Sequence, residues 1–529
     1  MEDVNSTTTE ATGQSENADS DNTKDVDEEG ASSEQMGATE MEETDMSEQT
    51  KAIFENVKAN LQYKGINDTN PLMTQRFGAD PYALIYNDRV YFYMTADAFE
   101  YDDKGELIDN TYSKIKSINV ISTDDMINFT DHGAIMIGKP DGAAKWANNS
   151  WAPAAAWKEI DGKPKFFLYF ADAGGGIGVL QADSPVGPFT DPLGKGLITR
   201  DTPTCAEVTW LFDPAVLVDD DGEAYIYFGG GIPQGEGKIA NPGTGRVAKL
   251  GADMISIVGD PVPLDVPYLF EDSGIHKFNN KYYYTYCSNW QVDEEGTKKY
   301  GFVNAEIVML ESDNPMGPFK FKEKILENPG RYCGLYGNNH HAVFNFKDQW
   351  YITYHTRLLE KKMGLQKGYR ATHVDPFEIA EDGTIGVIKQ TTTGRTQVKY
   401  VNPFEEHNAT TMAVMGGLDT VPAKDGAAGE MILTDINTGD FLKVQGVDFG
   451  SKAPKKWIAT IKAEGNTDNC AIEICADKLG ADVIGYLKVD ASGDFAEMTA
   501  EIEKELTGVH DIYLIFAGEG YEMKSWRFE

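Results

Sequence analysis

One element recurs five times between residues 80 and 360 of this 529-residue chain: a turn, then a short strand crowded with aromatic side chains. The copies begin Tyr86-Asn-Asp-Arg-Val-Tyr-Phe-Tyr, Asp161-Gly-Lys-Pro-Lys-Phe-Phe-Leu-Tyr, Asp221-Gly-Glu-Ala-Tyr-Ile-Tyr, Asn279-Asn-Lys-Tyr-Tyr-Tyr-Thr-Tyr and Lys347-Asp-Gln-Trp-Tyr-Ile-Thr-Tyr, about 60 to 75 residues apart. Each has a β-rich run before it and Asn, Asp or Gly in the turn, which predicts a hairpin. Long helical periodicity is absent from residues 70–400. Units of this size bury their apolar faces against one another. The expected fold is therefore all-β, with a five-bladed β-propeller as its main body. A second repeat, Asp183-Ser-Pro-Val-Gly-Pro-Phe and Asp313-Asn-Pro-Met-Gly-Pro-Phe, marks the outer edge of two units.

In a propeller the innermost strand of each blade begins near the central axis. Counting back from each turn gives five entry points: Asp80, the Trp151-Ala-Pro segment, Asp213, Glu271 and His340-His341. Three of them are acids, in Gly-Ala-Asp-Pro-Tyr, Leu-Phe-Asp-Pro-Ala and Leu-Phe-Glu-Asp-Ser. Any one Asp-Pro step marks a turn with a solvated acid. Three acids in one repeat register point to a single site built by several units.

Charge narrows the partners. The formal net charge is −38, and residues 1–50 hold 16 Asp and Glu against one Lys. That segment lacks aromatics and is expected to be disordered, since it cannot bury enough surface to offset ordering entropy. The remainder still carries about −23, which argues against nucleic acid or an anionic membrane and suits a neutral polysaccharide. No apolar run approaches a transmembrane span. Met1-Glu2-Asp3 lacks the basic and apolar regions of an export signal; the acidic, Ser/Thr-rich start suits a linker left after one is removed. Five scattered Cys without a CxxC fit buried free thiols better than a disulfide scaffold or zinc ribbon. Cys470 and Cys475 fall close enough in sequence for their pairing to be an open question.

Beyond residue 399 the texture changes. Aromatics thin out, and Phe441-Leu-Lys-Val, Trp457-Ile-Ala-Thr-Ile, Ala471-Ile-Glu-Ile and Asp511-Ile-Tyr-Leu-Ile-Phe read as short strands of a β-sandwich of jelly-roll type. Asn402-Pro403 is a plausible boundary. The expected organisation is a tail over 1–50, a propeller over 51–398 and a sandwich over 399–529.

Three converging carboxyl groups fit glycoside hydrolysis. One protonates the leaving oxygen, and another activates water or attacks from the far face of the sugar. Inverting enzymes hold the two about 6.5–9.5 Å apart, a gap that opposite sides of a funnel supply. Glu271 has the longer reach and suits the proton donor, Asp80 the base. Asp213 lies between them in blade order and suits tuning the acid by like-charge repulsion.

Residues 70–400 resemble glycoside hydrolase family 43, five-bladed propeller enzymes acting on arabinose- and xylose-containing polysaccharides. The resemblance rests on 79-ADPYALIYNDRVYFY, 150-SWAPAAAW, 212-FDPAVLVDDDGEAYIYFG, 270-FEDSGIHKFNNKYYYTY, 338-NNHHAVF, Tyr369-Arg370-Ala371 and Asp382-Gly383-Thr384-Ile385. It implies Asp80 as general base, Asp213 as pKa modulator, Glu271 as general acid, and inversion at the anomeric carbon. It also implies that Trp151 stacks on a pentose, that Arg357 reaches the substrate, and that His340 lies near an axial calcium or its waters. Calcium prefers oxygen to imidazole nitrogen, so His340 is equally a buried histidine hydrogen-bonded at the axis.

The C-terminal part is similar to carbohydrate-binding module family 6 through 439-GDFLKVQGVDFG and 508-GVHDIYLIFAGEGYEMKSWRF. It departs from that family at Asn408, Thr410 and Glu522, where calcium and sugar ligands are usual, and carries Phe495 at a usual Trp. Phe495 remains a candidate for stacking on sugar. Packing against the propeller is the alternative role for this part.

The expected protein is a secreted or surface-attached hemicellulase releasing α-L-arabinofuranose from arabinoxylan by inverting hydrolysis. A β-D-xylosidase or arabinan-degrading hydrolase of the same family is the alternative within the class, and a non-catalytic glycan-binding propeller the alternative outside it. No organic cofactor is implied. Gly229-Gly-Gly ends a strand with no helix following, unlike a dinucleotide loop.

Overall fold

The computed structural model describes residues 48–529, so the expected disordered tail lies, up to residue 47, outside the described residues. Five antiparallel sheets follow one another along residues 77–377. The first holds β1 (Phe77–Tyr86), β2 (Arg89–Asp97), β3 (Ser117–Thr123) and β4 (Phe129–Met136) in sequence order. The second holds β5 (Trp151–Ile160), β6 (Lys163–Ala171) and β7 (Ile177–Ala182). The third holds β8 (Ala215–Val218), β9 (Ala224–Phe228), β10 (Gly245–Leu250) and β11 (Ile257–Leu264). The fourth holds β12 (Leu269–Phe278), β13 (Lys281–Ser288), β14 (Ile307–Ser312) and β15 (Lys320–Leu326). The fifth holds β16 (His341–Phe346), β17 (Gln349–Thr356) and β18 (Ala371–Phe377). The leading strands neighbour one another in a closed circuit: β1 lies against β5, β5 against β8, β8 against β12, β12 against β16, and β16 against β1.

Local chemistry explains the repeated hairpins. In four of them both central turn residues adopt positive φ: Asn87 and Asp88, Asp161 and Gly162, Asn279 and Asn280, Lys347 and Asp348. Two such residues match the right-handed twist of the flanking strands, and Asn, Asp and Gly reach that region at least cost. The turn length then fixes the register. Tyrosines on the second strands join neighbouring sheets. Tyr93 donates its hydroxyl to the Pro185 carbonyl (2.6 Å), Tyr169 to Met254 (2.6 Å) and Tyr227 to Pro315 (2.5 Å). Pro185 and Pro315 belong to the two copies of the second sequence repeat, and their companions Phe189 and Phe319 are buried. That repeat thus presents a carbonyl to the tyrosine of the preceding sheet and an aromatic ring to the core.

The C-terminal region is a β-sandwich. One layer orders strands Asp419–Pro422, Met431–Thr434, Tyr521–Phe528, Lys456–Ala463 and Ala496–Glu501. The other orders Val414–Gly416, Phe441–Asp448, Val509–Ala517, Ala471–Ala476 and Val483–Lys488. Trp457, Phe516 and Trp526 sit in its core. All five cysteines are buried and free. Cys470 immediately precedes the strand Ala471–Ala476, and Cys475 lies near its far end. Five residues of strand span roughly 16 Å, far beyond disulfide reach.

The sandwich is fused to the first sheet. Thr411 and Met412 pair with Thr130 and Phe129, extending that sheet and covering the outer edge of β4. Buried Asp131 binds Arg76 and accepts from the Thr420 hydroxyl at 2.6 Å. Lys64, buried, donates to the Ala413 carbonyl at 2.8 Å.

The tyrosine-to-carbonyl bonds give a first test. Tyr227→Phe strands the Pro315 carbonyl in a half-buried place, which costs about 1 kcal/mol. A lower midpoint in urea denaturation is expected, and an unchanged midpoint would show that water takes over the carbonyl.

Candidate active site

The leading strands share one irregularity. The ladder slips between Ala79 and Tyr82 in β1, between Trp151 and Ala154 in β5, and between Glu271 and Gly274 in β12. The first residue inside each slip is left-handed: Asp80 (φ 47°), Ala152 (φ 39°) and Asp272 (φ 69°). Asp213 (φ 50°) holds the matching place two residues ahead of β8. A bulge bends its strand and re-aims a side chain. Here it does so in three leading strands, and Asp213 repeats the left-handed turn ahead of a fourth. The repeat register is corrected in one place: Asp80, Asp213 and Asp272 are equivalent, while Glu271 stands one residue earlier, level with Trp151.

These bulges open on a pocket of about 380 Å³. Asp80, Asp213 and Glu271 all line it, as do Trp151 and His340. Trp210, Phe212 and Phe270 form an aromatic wall, with ring centroids 5.2–5.3 Å from Trp210. Trp151 is half-buried and donates its indole N–H to the Tyr112 carbonyl at 2.9 Å.

A single guanidinium divides the carboxyls. Arg370 forks onto Asp97 through Nε (2.9 Å) and Nη2 (2.8 Å), and its Nη1 donates to Asp80 Oδ1 at 2.8 Å. The Tyr112 ring lies beneath it, 4.9 Å from centroid to guanidinium carbon. Burial works to raise the Asp80 pKa, but Arg370 and the neighbouring His355 and His340 hold it far below the ordinary carboxylate range. The Asp80 amide also donates to His355 Nδ1 at 3.1 Å. Asp213 has no comparable cation. Burial and the charge of Asp80 push its pKa well up, against a hydrogen bond from the Asp272 amide (2.8 Å). Glu271 is raised well above its ordinary value by burial, then by Asp213 and Asp272. Its Oε1 is buried without a hydrogen-bond partner. The pocket thus sets Asp80, held toward its ionised form, and Glu271, pushed toward its acid form, against the same space.

Two expected residues fall elsewhere, and a third is in the pocket without the metal cage expected beside it. Arg357 opens a short helical turn after β17, where its Nε pairs with Glu360 at 2.5 Å and its Nη1 donates to the Tyr336 carbonyl. Glu360 Oε2 accepts the amides of Lys367, Gly368 and Tyr369 at 2.9–3.0 Å. Arg357 therefore braces the loop that delivers Arg370, and the pocket arginine is Arg370. Phe495 is half-buried on the sandwich and does not line its cleft of about 530 Å³, whose walls include Asp435, Asn437, Lys462, Glu464 and Glu522. His340 is in the pocket but in no metal cage. Among the described residues no group of three or more His, Cys, Asp or Glu is arranged to hold a metal. Calcium takes six to eight oxygens, and here the Asp80 and Asp272 oxygens face Arg370 and two histidines. At the departures from the binding-module pattern, Thr410 is buried against the first sheet and Asn408 pairs with Ser525. Asp97, Asp272, His355 and Arg370 were not singled out by sequence. Arg370 had a signal in Tyr369-Arg370-Ala371; the others had none apart from position.

The model of Glycosyl hydrolases family 43 matches residues 69–385, and that of Carbohydrate binding module (family 6) matches residues 408–529. The chain belongs to glycosyl hydrolase family 43. This family 43 protein is a glycosidase, hydrolysing glycosidic bonds. It is 47% identical over 481 residues to an arabinoxylan arabinofuranohydrolase of Paenibacillus polymyxa, covering 87% of this chain and 74% of that protein. It is 44% identical over 485 residues to an arabinoxylan arabinofuranohydrolase of Bacillus subtilis, covering 88% of this chain and 93% of the relative. The crystal structure of a family 43 arabinoxylan arabinofuranohydrolase from Bacillus subtilis, in complex with cellotetraose, superposes with a TM-score of 0.84 at 42% identity, over 89% of this chain and 99% of that one.

In this family 43 site the charge on Asp80 depends on Arg370. Arg370→Gln removes the cation that holds the carboxylate ionised. The acidic limb of the kcat/KM profile should then move up by about 1–3 pH units, the range for a carboxylate losing a neighbouring arginine. A limb that stays in place would show that another group sets it.

Proposed function

We propose that this protein is an arabinoxylan arabinofuranohydrolase that inverts configuration, with Asp80 as general base, Glu271 as general acid and Asp213 as the residue that tunes the acid. The pairing of Asp80 under Arg370 with the unpartnered, buried carboxyl of Glu271 carries the reading. The activities of the two relatives at 47% and 44% identity support the substrate. Asp80 takes a proton from water, the water oxygen bonds to the anomeric carbon, and Glu271 gives its proton to the departing xylan oxygen. A positioned acid or base contributes typically 10²–10⁴-fold. The signs follow from the charges. Asp80 works ionised and fails as pH falls through its lowered pKa; Glu271 works protonated and fails as pH rises through its raised one. Trp151 offers a face to a pentose. Arg370 and Asp213 supply the fields.

The same reading makes the five sheets five blades of a propeller, with its axis through the pocket. The closed circuit of leading strands supports it. The propeller extends over 51–398 and the sandwich over 399–529, the latter a packing partner as much as a glycan-binding module. The polymeric substrate and the acidic, Ser/Thr-rich first 50 residues support action outside the cell or at its surface. Among the described residues no helix is long and apolar enough to cross a membrane.

Wheat arabinoxylan with the wild-type protein, followed by proton NMR during the first turnovers, tests the reaction. Arabinose should appear first as the β-anomer. Early α-anomer would exclude inversion, and no arabinose at all would exclude the activity. Glu271→Ala separates the roles: loss of about 10²–10⁴ is expected on arabinoxylan, but much less on 4-nitrophenyl α-L-arabinofuranoside, whose leaving group needs little protonation. Equal losses on both would rule out Glu271 as the acid.

A further inference from the structure

A fourth acid, Asp272, occupies the bulge position shared by Asp80 and Asp213, yet it does not line the pocket and is fully buried. An unpaired carboxylate in such a place is costly, so its partners show what it is for. Its amide donates to Asp213 Oδ2 at 2.8 Å. Its Oδ2 lies 2.5 Å from His341 Nδ1, and its Oδ1 accepts the His341 amide at 3.1 Å. The same Oδ1 stands 3.1 Å from Nε2 of His340. The far nitrogen of His341 meets the Thr285 hydroxyl at 2.8 Å. Gly274 makes room for this pair, because a Cβ there would stand 2.4 Å from the Thr285 oxygen and 3.0 Å from His341 Nε2.

The consequence reaches the pocket. With Nε2 against Asp272, the His340 ring turns Nδ1 toward both catalytic aspartates, 3.6 Å from Asp80 Oδ1 and 3.9 Å from Asp213 Oδ2. One residue thereby holds the pocket histidine by its side chain and the modulating aspartate by its backbone. We propose that Asp272 is a positioning residue for the hydrolysis, acting through His340 and Asp213 without touching substrate. This rests on the roles proposed above for Asp80 and Asp213. It predicts an effect on turnover and not on binding, since the groups it holds are those assigned above to the reacting atoms, while the aromatic faces of Trp151, Trp210 and Phe270 are left in place.

The test uses the full chain with 4-nitrophenyl α-L-arabinofuranoside, kcat and KM measured separately, and melting curves to establish folding. Asp272→Asn keeps the shape and should lower kcat about 10- to 100-fold, with KM within about twofold. Groups acting as a unit are not additive. The double variant of Asp272→Asn with His340→Asn should therefore be within about threefold of the worse single variant. A kcat within twofold of wild type, a loss confined to KM, or fully multiplied losses in the double variant would each overturn the proposal. Should Asp272→Asn fail to fold, Thr285→Val loosens His341 one step further out, and a lowered kcat at constant KM is again expected; unchanged kcat overturns it. An inactive wild type would instead refute the arabinofuranohydrolase reading itself.

Discussion

Arg370 does two things with one guanidinium. It precedes β18, the last strand of the fifth sheet, and binds Asp97 at the end of β2 and Asp80 on β1, so it fastens the last sheet to the first. It is also the one cation among the residues that line the pocket. Asp80, Asp97, Asp213, Glu271 and Asp272 are all buried around it. One positive charge cannot keep five neighbouring carboxyls ionised in a low-dielectric site. Asp80, which it touches, is held toward the charged form; Asp213, Glu271 and Asp272, which it does not, are pushed toward the acid form. Ring closure and the division of labour among the acids are in this sense one interaction.

The left-handed bulges decide which groups meet Arg370. A positive φ at a non-glycine residue is uncommon and costs about 1–2 kcal/mol, yet Asp80, Ala152, Asp213 and Asp272 all accept it at the mouth of the circuit. Backbone amides turned by the bulge find inward partners. The Asp80 amide meets His355, the Ala152 amide the Thr95 hydroxyl at 2.8 Å, and the Asp272 amide Asp213. The strain is offset by bonds that hold the site rigid, which is what electrostatic preorganisation requires.

The sandwich belongs to the same body. Its short strand completes the first sheet, and buried Asp131, Lys64 and Asn128 bond across the junction. Thr410 is spent on this contact. The departure at Thr410 thus has a structural use. The sandwich cleft is walled by Asp435, Glu464 and Glu522, and Phe495 does not line it.

Much was legible in the sequence because it is local. Asn-Asp, Asp-Gly and Asn-Asn turns fix two-residue hairpins, and alternating tyrosines fix which face of each strand is inside. The recurrence of both announces repeated sheets, and position in the repeat leads to Asp80 and Asp213 and to within one residue of Glu271. What only the tertiary structure decided is non-local. The bulge that places Asp272, and not Glu271, level with Asp80 depends on pairing with the next strand. The arginine that holds Asp80 ionised lies 290 residues away from it. Arg357, the arginine expected from sequence, is held away from the pocket lining by buried Glu360 only three residues on. Sequence determined that carboxyls converge, since turns and strands are set by neighbours. The ring's closure determined which of them carries charge, since that depends on groups brought together only when the last sheet meets the first.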